Sequence, residues 1–295
     1  MKLVAPFALA TMACLPAGQP PVPAFDATRA FEDLRQIVAI GPRPAGSPAA
    51  QRTRDYITRQ LSAAGLTAEE QSFEARTPLG PTRMVNLRVS LPGRNASGRR
   101  LIIAGHYDTK LFTDQTFVGA NDGGSSTAFL IELARALKTR QNALPIEILF
   151  LDGEEAVVDW HQGNDHTYGS RHYVAEARKA GTLNQIAAMI LVDMIGDRDL
   201  EIRRESQSTP WLTEAIWGAA KRLKRREFID EQVLIEDDHV EFLKAGVPAV
   251  DIIDLDYPAW HTPQDTIDNV SPKSLQIVAD VLLEALPEIE KRARH

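Results

Sequence analysis

Two rhythms of apolar residues alternate along the chain. Helical spacing runs through Phe31, Leu34, Ile37 and Val38 within Phe25–Ile40. "GPRPAGSP" breaks that helix, and Ser47 is placed to cap a second one reaching about Ala64. Further helices are expected over Gly123–Lys138, Tyr168–Lys179, Thr209–Lys224 and Pro272–Arg294, with a short one in "HVEFLKAG". Between them lie continuous apolar runs in "RLIIAGHYDTK", "PIEILFLDGEE", "AAMILVDMIGD" and "VPAVDIID". Two more strands, "AEEQSFEA" and "MVNLRVSL", flank the turn "TPLGP" and read as lying near a sheet edge; "LEIRRE" is a short strand. Apolar runs alternating with helices are what a sheet covered on both faces requires. The expected fold is therefore α/β: a three-layer α/β/α sandwich with a mixed, mostly parallel central sheet.

In such sheets ligands collect beyond the carboxyl ends of the strands. Polar clusters fall at those ends: "GHYD", "DGEE", "VDMIGD" and "IIDLDYPAWH". Together they supply His106, Asp108, Glu154, Glu155, Asp193 and His261, and "GANDGGSS" adds Asp122 at the mouth of a helix. Histidines with carboxylates are the ligand types of a catalytic zinc that keeps one position open. A carboxylate that is not a ligand can then serve as general base or acid. Glu154 and Glu155 suit that division, since neighbours leaving a strand point in different directions. The plainer reading of the pair is a helix start, where carboxylates are also favourable.

Composition narrows the class. The 295 residues are 44% hydrophobic and 25% charged, enough for a sizeable core. No internal repeat or linker divides them, so one catalytic domain is expected over 25–295. Net charge is -7, and the only basic cluster, "KRLKRRE" (Lys221–Glu227), reads as a solvated helix end. Nucleic acid is excluded as a partner on this reading. The first residues carry Lys2 and then a short apolar stretch, Leu3–Ala13, too short to span a bilayer. Residues 1–24 are read as a signal or lipoprotein leader and proline-rich tether, with Cys14, the single cysteine, as a candidate lipid anchor. Export to the periplasm or envelope follows, and a monomer is expected.

The ordered set His106, Asp122, Glu154–Glu155, Asp193 and His261 resembles the metal signature of the zinc aminopeptidase family M28, from about Val85 onward. Within it, "DGEEAVVDW", "YGSRH", "EDDH" before "FL…GVP", and "WHT" are similar to the animal-type glutaminyl-peptide cyclotransferases. That resemblance implies one zinc on Asp122, Glu155 and His261, with Glu154 as proton carrier. It implies an acid network of Glu154, Asp193 and Asp237, and a substrate pocket lined by Trp160 and Trp260. The substrate would be a peptide with N-terminal Gln. The sequence departs at "GANDGGSS", where Asn121 and Gly123 are the peptidase version. The alternative is accordingly a two-zinc aminopeptidase, with His106 and Asp193 on the second metal and Asp122 bridging. A non-catalytic binding module of the same fold is the third reading; no ligand or base is missing to favour it.

Each residue also has a plainer reading. Asp122 suits a helix N-cap, Asp193 a loop acid, and Asp237 and Asp238 solvated acids at the start of a short helix. His106, Trp160 and Trp260 suit a core. His161, His166, His172 and His239 are not expected as ligands, His161 and His166 because a polar loop commonly exposes them.

Overall fold

A computed structural model of the protein describes residues 24–95 and 98–293. The leader read into residues 1–24 lies outside these except for Ala24, and Cys14 lies outside them. Two helices open the fold, α1 (Ala27–Ile40), capped by the Asp26 side chain, and α2 (Pro48–Ala63), capped by Ser47. The strands β1 (Ala68–Thr77) and β2 (Gly80–Leu91) form a hairpin. Then follow β3 (Arg100–His106), α3 (Gly124–Thr139), β4 (Ile146–Leu151), α4 (Tyr168–Lys179) and β5 (Ile186–Asp193). The chain continues through β6 (Ile202–Glu205), α5 (Pro210–Arg222), β7 (Phe228–Val233), α6 (His239–Lys244), β8 (Ala249–Ile253) and α7 (Pro272–Arg292).

The main sheet has six strands in the order β1-β2-β4-β3-β5-β8. The hairpin joins it antiparallel through β2 and β4, while β4, β3, β5 and β8 run parallel. Every residue of β4, β5 and β8 is buried, which is why these strands carry unbroken apolar runs. Alternate residues serve opposite faces. Ile103, Ile148 and Ile190 pack toward Leu34 and Ile37 of α1, Phe129 of α3 and Val278 of α7. Ile102, Leu149 and Met189 pack toward Val174 of α4 and Phe242 of α6. The three layers expected from the sequence are thus present, with β1 and β8 at the two edges of the sheet.

β6 and β7 form a separate parallel pair. The sequence pattern predicts β6 but gives no strand signal for β7. Five of its six residues face outward at least partly, so no apolar pattern marks it. No helix among the described residues is long and apolar enough to cross a membrane.

One interior side chain fastens the loops that approach the site. Arg43, in the segment after α1, is completely buried. Its guanidinium donates to the carbonyls of Tyr107 (2.7 Å), Val118 (2.5 Å) and Gly119 (2.7 Å). Burial lowers its pKa to about 10, leaving it charged at neutral pH.

Candidate metal centre and active site

The carboxyl ends of the parallel strands converge. His106 is the last residue of β3 and Asp193 the last of β5. Glu154 and Glu155 follow β4, Asp122 precedes α3, and His261 lies in the loop after β8. Asp122 is not a helix cap. Gly123 takes that place, with no side-chain cap bond. Its φ is +74, and a Cβ there would lie 2.4 Å from the Asp108 carbonyl and 3.0 Å from the His106 ring. Only glycine lets α3 start this close to His106.

Two trios of ligand-type atoms share Asp122. His261 Nε2 lies 3.1 Å from Glu155 Oε1 and 3.3 Å from Asp122 Oδ2. His106 Nε2 lies 3.3 Å from Asp122 Oδ1 and 3.1 Å from Asp193 Oδ1. Within each trio the atoms fall inside 4.8 Å of one another. Ligands held about 2.0–2.1 Å from a tetrahedral zinc are separated by about 3.3 Å, so this spacing fits that ion. Asp122 Oδ2 is buried without a hydrogen bond, an acceptor that a cation would satisfy.

The electrostatics follow from crowding acids in a dry place. Burial, with the charge of Asp122, pushes Glu155 up to about 7. Burial pushes Glu154 well above the usual carboxylate range, and Asp237 and Glu155 add to it against His106. Burial opposes ionisation of Asp122 too, but the two imidazoles facing it hold it below its ordinary value. Burial would lower the His261 ring, but the Asp122 and Glu155 carboxylates beside it raise it to about 10.

Three further carboxylates hold the loops in place by accepting backbone N–H groups. Asp108 takes those of Glu154 (3.2 Å) and Glu155 (3.3 Å), one on each oxygen. Asp265 takes those of Asn121 (2.7 Å) and Asp122 (3.1 Å) and the Tyr257 hydroxyl (2.9 Å). Asp165 takes those of Val157, Val158 and Asp159, fixing the segment that carries Trp160. Asn121 bridges to the loop after Asp193, accepting from Gly196 N (2.7 Å) and donating to Met194 O (3.3 Å). His261 and Met194 have φ of +54 and +45, strained values for residues with side chains.

Glu154, Asp193, Asp237, Trp160 and Trp260 line one cavity of ≈ 480 Å³ together with Asp122, Glu155 and His261. Trp160 stacks on His166, ring centroids 4.1 Å apart, and Trp260 stacks on His261 at 4.4 Å. Asp237 and Asp238 are buried rather than solvated. Among the described residues no direct hydrogen bond joins Glu154, Asp193 and Asp237. They share the cavity while Asp193 bonds His106 and Met194 N, and Asp237 accepts from Asp238 N. His166 is buried against Trp160, contrary to the exposed loop position expected for it. His239 is also buried, bonded to Glu205 at 3.1 Å. Asp108, Asp265 and Asp165 were not singled out as supports; Asp265, in "WHTPQDT", had only its place beside a ligand to mark it.

Comparison with known proteins agrees with this geometry. The model of peptidase family M28 matches residues 86–286. A glutaminyl-peptide cyclotransferase-like protein of Mus musculus is 33% identical over 287 residues, covering 86% of this chain and 73% of that protein. The glutaminyl cyclase of an Acidobacteriales bacterium superposes with a TM-score of 0.88 at 38% identity, over 95% of this chain and 100% of that one. A leucine aminopeptidase precursor from Bacteroides thetaiotaomicron superposes at 0.82 with 27% identity, over 90% and 98%. The chain belongs to peptidase family M28 and, within it, to the glutaminyl-peptide cyclotransferases.

Proposed function

We infer that this protein is a zinc-dependent glutaminyl cyclase, converting N-terminal Gln of peptides to pyroglutamate with release of ammonia. The observation that carries the reading is the placement of Glu154: buried, 3.9 Å from His106 Nδ1, and in one aromatic-walled cavity with Asp122, Glu155 and His261. Those three residues would hold one zinc, which when bound supplies Lewis acidity to the side-chain amide of the substrate. The α-amine nitrogen bonds to the amide carbon, and the bond from that carbon to the amide nitrogen breaks. Glu154 takes a proton from the α-amine and delivers one to the departing ammonia. A carboxyl whose pKa lies above the usual range is suited to give the proton back as well as take it. Asp193 and Asp237 face the same space and can hold the α-amine. Trp160 and Trp260 wall the cavity, orienting the folded side chain and reducing access for water.

The experiment is incubation with a Gln-initiated peptide, followed by mass spectrometry and an ammonia assay. A pyroglutamyl peptide with every peptide bond intact is expected. Release of the first residue without ammonia would overturn the reading in favour of a two-zinc aminopeptidase. One observation favours that alternative: the second trio, His106, Asp122 and Asp193, is also spaced for a metal. We further propose that 25–295 acts as one catalytic domain and as a monomer. The segment 1–24 would direct export to the periplasm or envelope, with Cys14 as the site of any lipid anchor; fractionation of cells tests this.

A further inference from the structure

The segment 109–118, between β3 and α3, is fastened at both ends by Arg43. Thr109 Oγ1 accepts the Arg43 backbone N–H at 3.0 Å, and the Arg43 guanidinium donates to the Val118 carbonyl at 2.5 Å. Between these points Leu111, Thr113, Asp114 and Thr116 are exposed, whereas Lys110, Phe112 and Gln115 are half-buried and Phe117 is buried. Compact loops with pinned ends frequently carry function.

This loop holds His261. Gln115 Nε2 donates to the His261 carbonyl at 3.0 Å, the one hydrogen bond to the His261 backbone among the described residues. The rings of Phe112 and Phe117 each meet the imidazole edge to face, with centroids 5.7 Å away and interplanar angles of 78° and 85°. Near the start of the same loop, Lys110 donates to the carbonyl of Ala156, the residue after Glu155. One loop thus reaches two of the three ligands in the trio of Asp122, Glu155 and His261.

The contrast with the other two ligands is informative. Asp108 takes the Glu155 N–H and Asp265 that of Asp122, so both backbones are held by buried carboxylates. The His261 backbone is held by a neutral amide, although it needs more support: its φ of +54 must be imposed on it by its surroundings.

We propose that Gln115 is a positioning residue for the metal, its amide fixing the strained His261 backbone while Phe112 and Phe117 set the ring. The inference rests on the metal trio of the cyclase reading. When the amide bond is lost, the His261 backbone relaxes. Its Nε2 then leaves the 3.1 Å and 3.3 Å spacings to Glu155 and Asp122 that suit the ion.

The test is zinc affinity measured against a competing chelator. A parallel series uses Co2+, whose visible spectrum reports ligand number and geometry. Gln115→Met keeps the length of the side chain without a donor or a charge. It should hold zinc about tenfold more weakly than the wild type, as when other groups that orient ligands are removed. Its Co2+ spectrum should change shape, while the metal-free protein loses little stability because the position is half-exposed. Thr113→Ala, exposed on the same loop, should match the wild type throughout. Wild-type zinc affinity in Gln115→Met would overturn the positioning role. An unaltered Co2+ spectrum with a less stable metal-free protein would also overturn it, making Gln115 a support of the fold alone. His261→Ala separates the two levels: if it kept wild-type zinc affinity, the trio itself, and not only the role of Gln115, would fall.

Discussion

Asp265 holds Asp122 by the backbone: its Oδ2 accepts the Asp122 N–H at 3.1 Å while its Oδ1 takes that of Asn121 at 2.7 Å. The shared ligand of both candidate metal trios is thereby fixed by a second acid that touches neither histidine ring.

Replacing Asp265 with Ala should therefore be costly in two ways. Two buried N–H groups and the Tyr257 hydroxyl lose their acceptor, and each buried unsatisfied group costs about 1–3 kcal/mol. Outer residues that orient ligands typically change metal affinity about 10–100-fold. Thermal unfolding should shift down, and a chelator should remove zinc from Asp265→Ala at lower concentration than from the wild type. Unchanged zinc retention would show that Asp122 needs no such support.

Substitutions at the adjacent glutamates should separate. Glu154→Gln preserves shape but carries no proton, and should lower kcat by about 10²–10⁴-fold with zinc content intact. Glu155→Gln removes a charged ligand and should lower zinc content. Elemental analysis of the two purified variants checks the pair; the opposite pattern would reverse their roles.

His261→Ala should lose metal and activity together, since only Asp122 and Glu155 then remain in its trio. About one zinc per chain is expected after gentle dialysis of the wild type. Chelation should lower the unfolding temperature, because an ion bound only by the folded state stabilises it. Two retained zincs would instead point to use of the trio containing His106 and Asp193.

A pH effect on stability is expected away from the metal. Glu205 is buried and bonded by His239, by the backbone N–H of Gln207 and by Ser208. Burial would raise its pKa, but these donors lower it from 4.5 to about 2. A depressed carboxyl stabilises the fold fully above the unfolded value and loses that contribution as pH falls from about 4.5 toward 2. A shift of this size corresponds to about 3 kcal/mol. The stability gap between wild type and Glu205→Gln, measured by urea unfolding, should narrow across that window. A constant gap would mean that Glu205 is not charged in the fold.

The sequence disclosed His106, Glu154, Glu155 and Asp193 because each sits at or just past the end of a buried strand, and the apolar-to-polar break there is abrupt. His106 and Asp193 are read in this way directly. Supports such as Asp108, Asp265 and Asp165 are different: they act by accepting N–H groups from distant segments, and no local spacing announces that. For Asp237 and Asp238 the residue pattern alone does not separate site acids from the solvated start of α6, and packing shows both buried. β7 left no trace because exposed strands need no apolar pattern. His166 looked like a loop residue, and the Trp160 ring that covers it is six positions away in a segment with no regular period.

The strand order also governs when the centre can come into being. Glu155 and His261 are separated by 106 positions, and His106 and Asp193 by 87. A nascent chain that ends before His261 already holds the central strands but cannot complete the trio with Asp122 and Glu155. Long-range parallel pairings of this kind are slow to form and leave apolar strands uncovered in the meantime. Metal capture by that trio would thus be a late event in biogenesis, open only to a chain that has extended past β8. Zinc uptake by that trio during refolding would serve as a timer for the last assembly step, and molecules truncated before His261 would lack it however well their early hairpin and helices had formed.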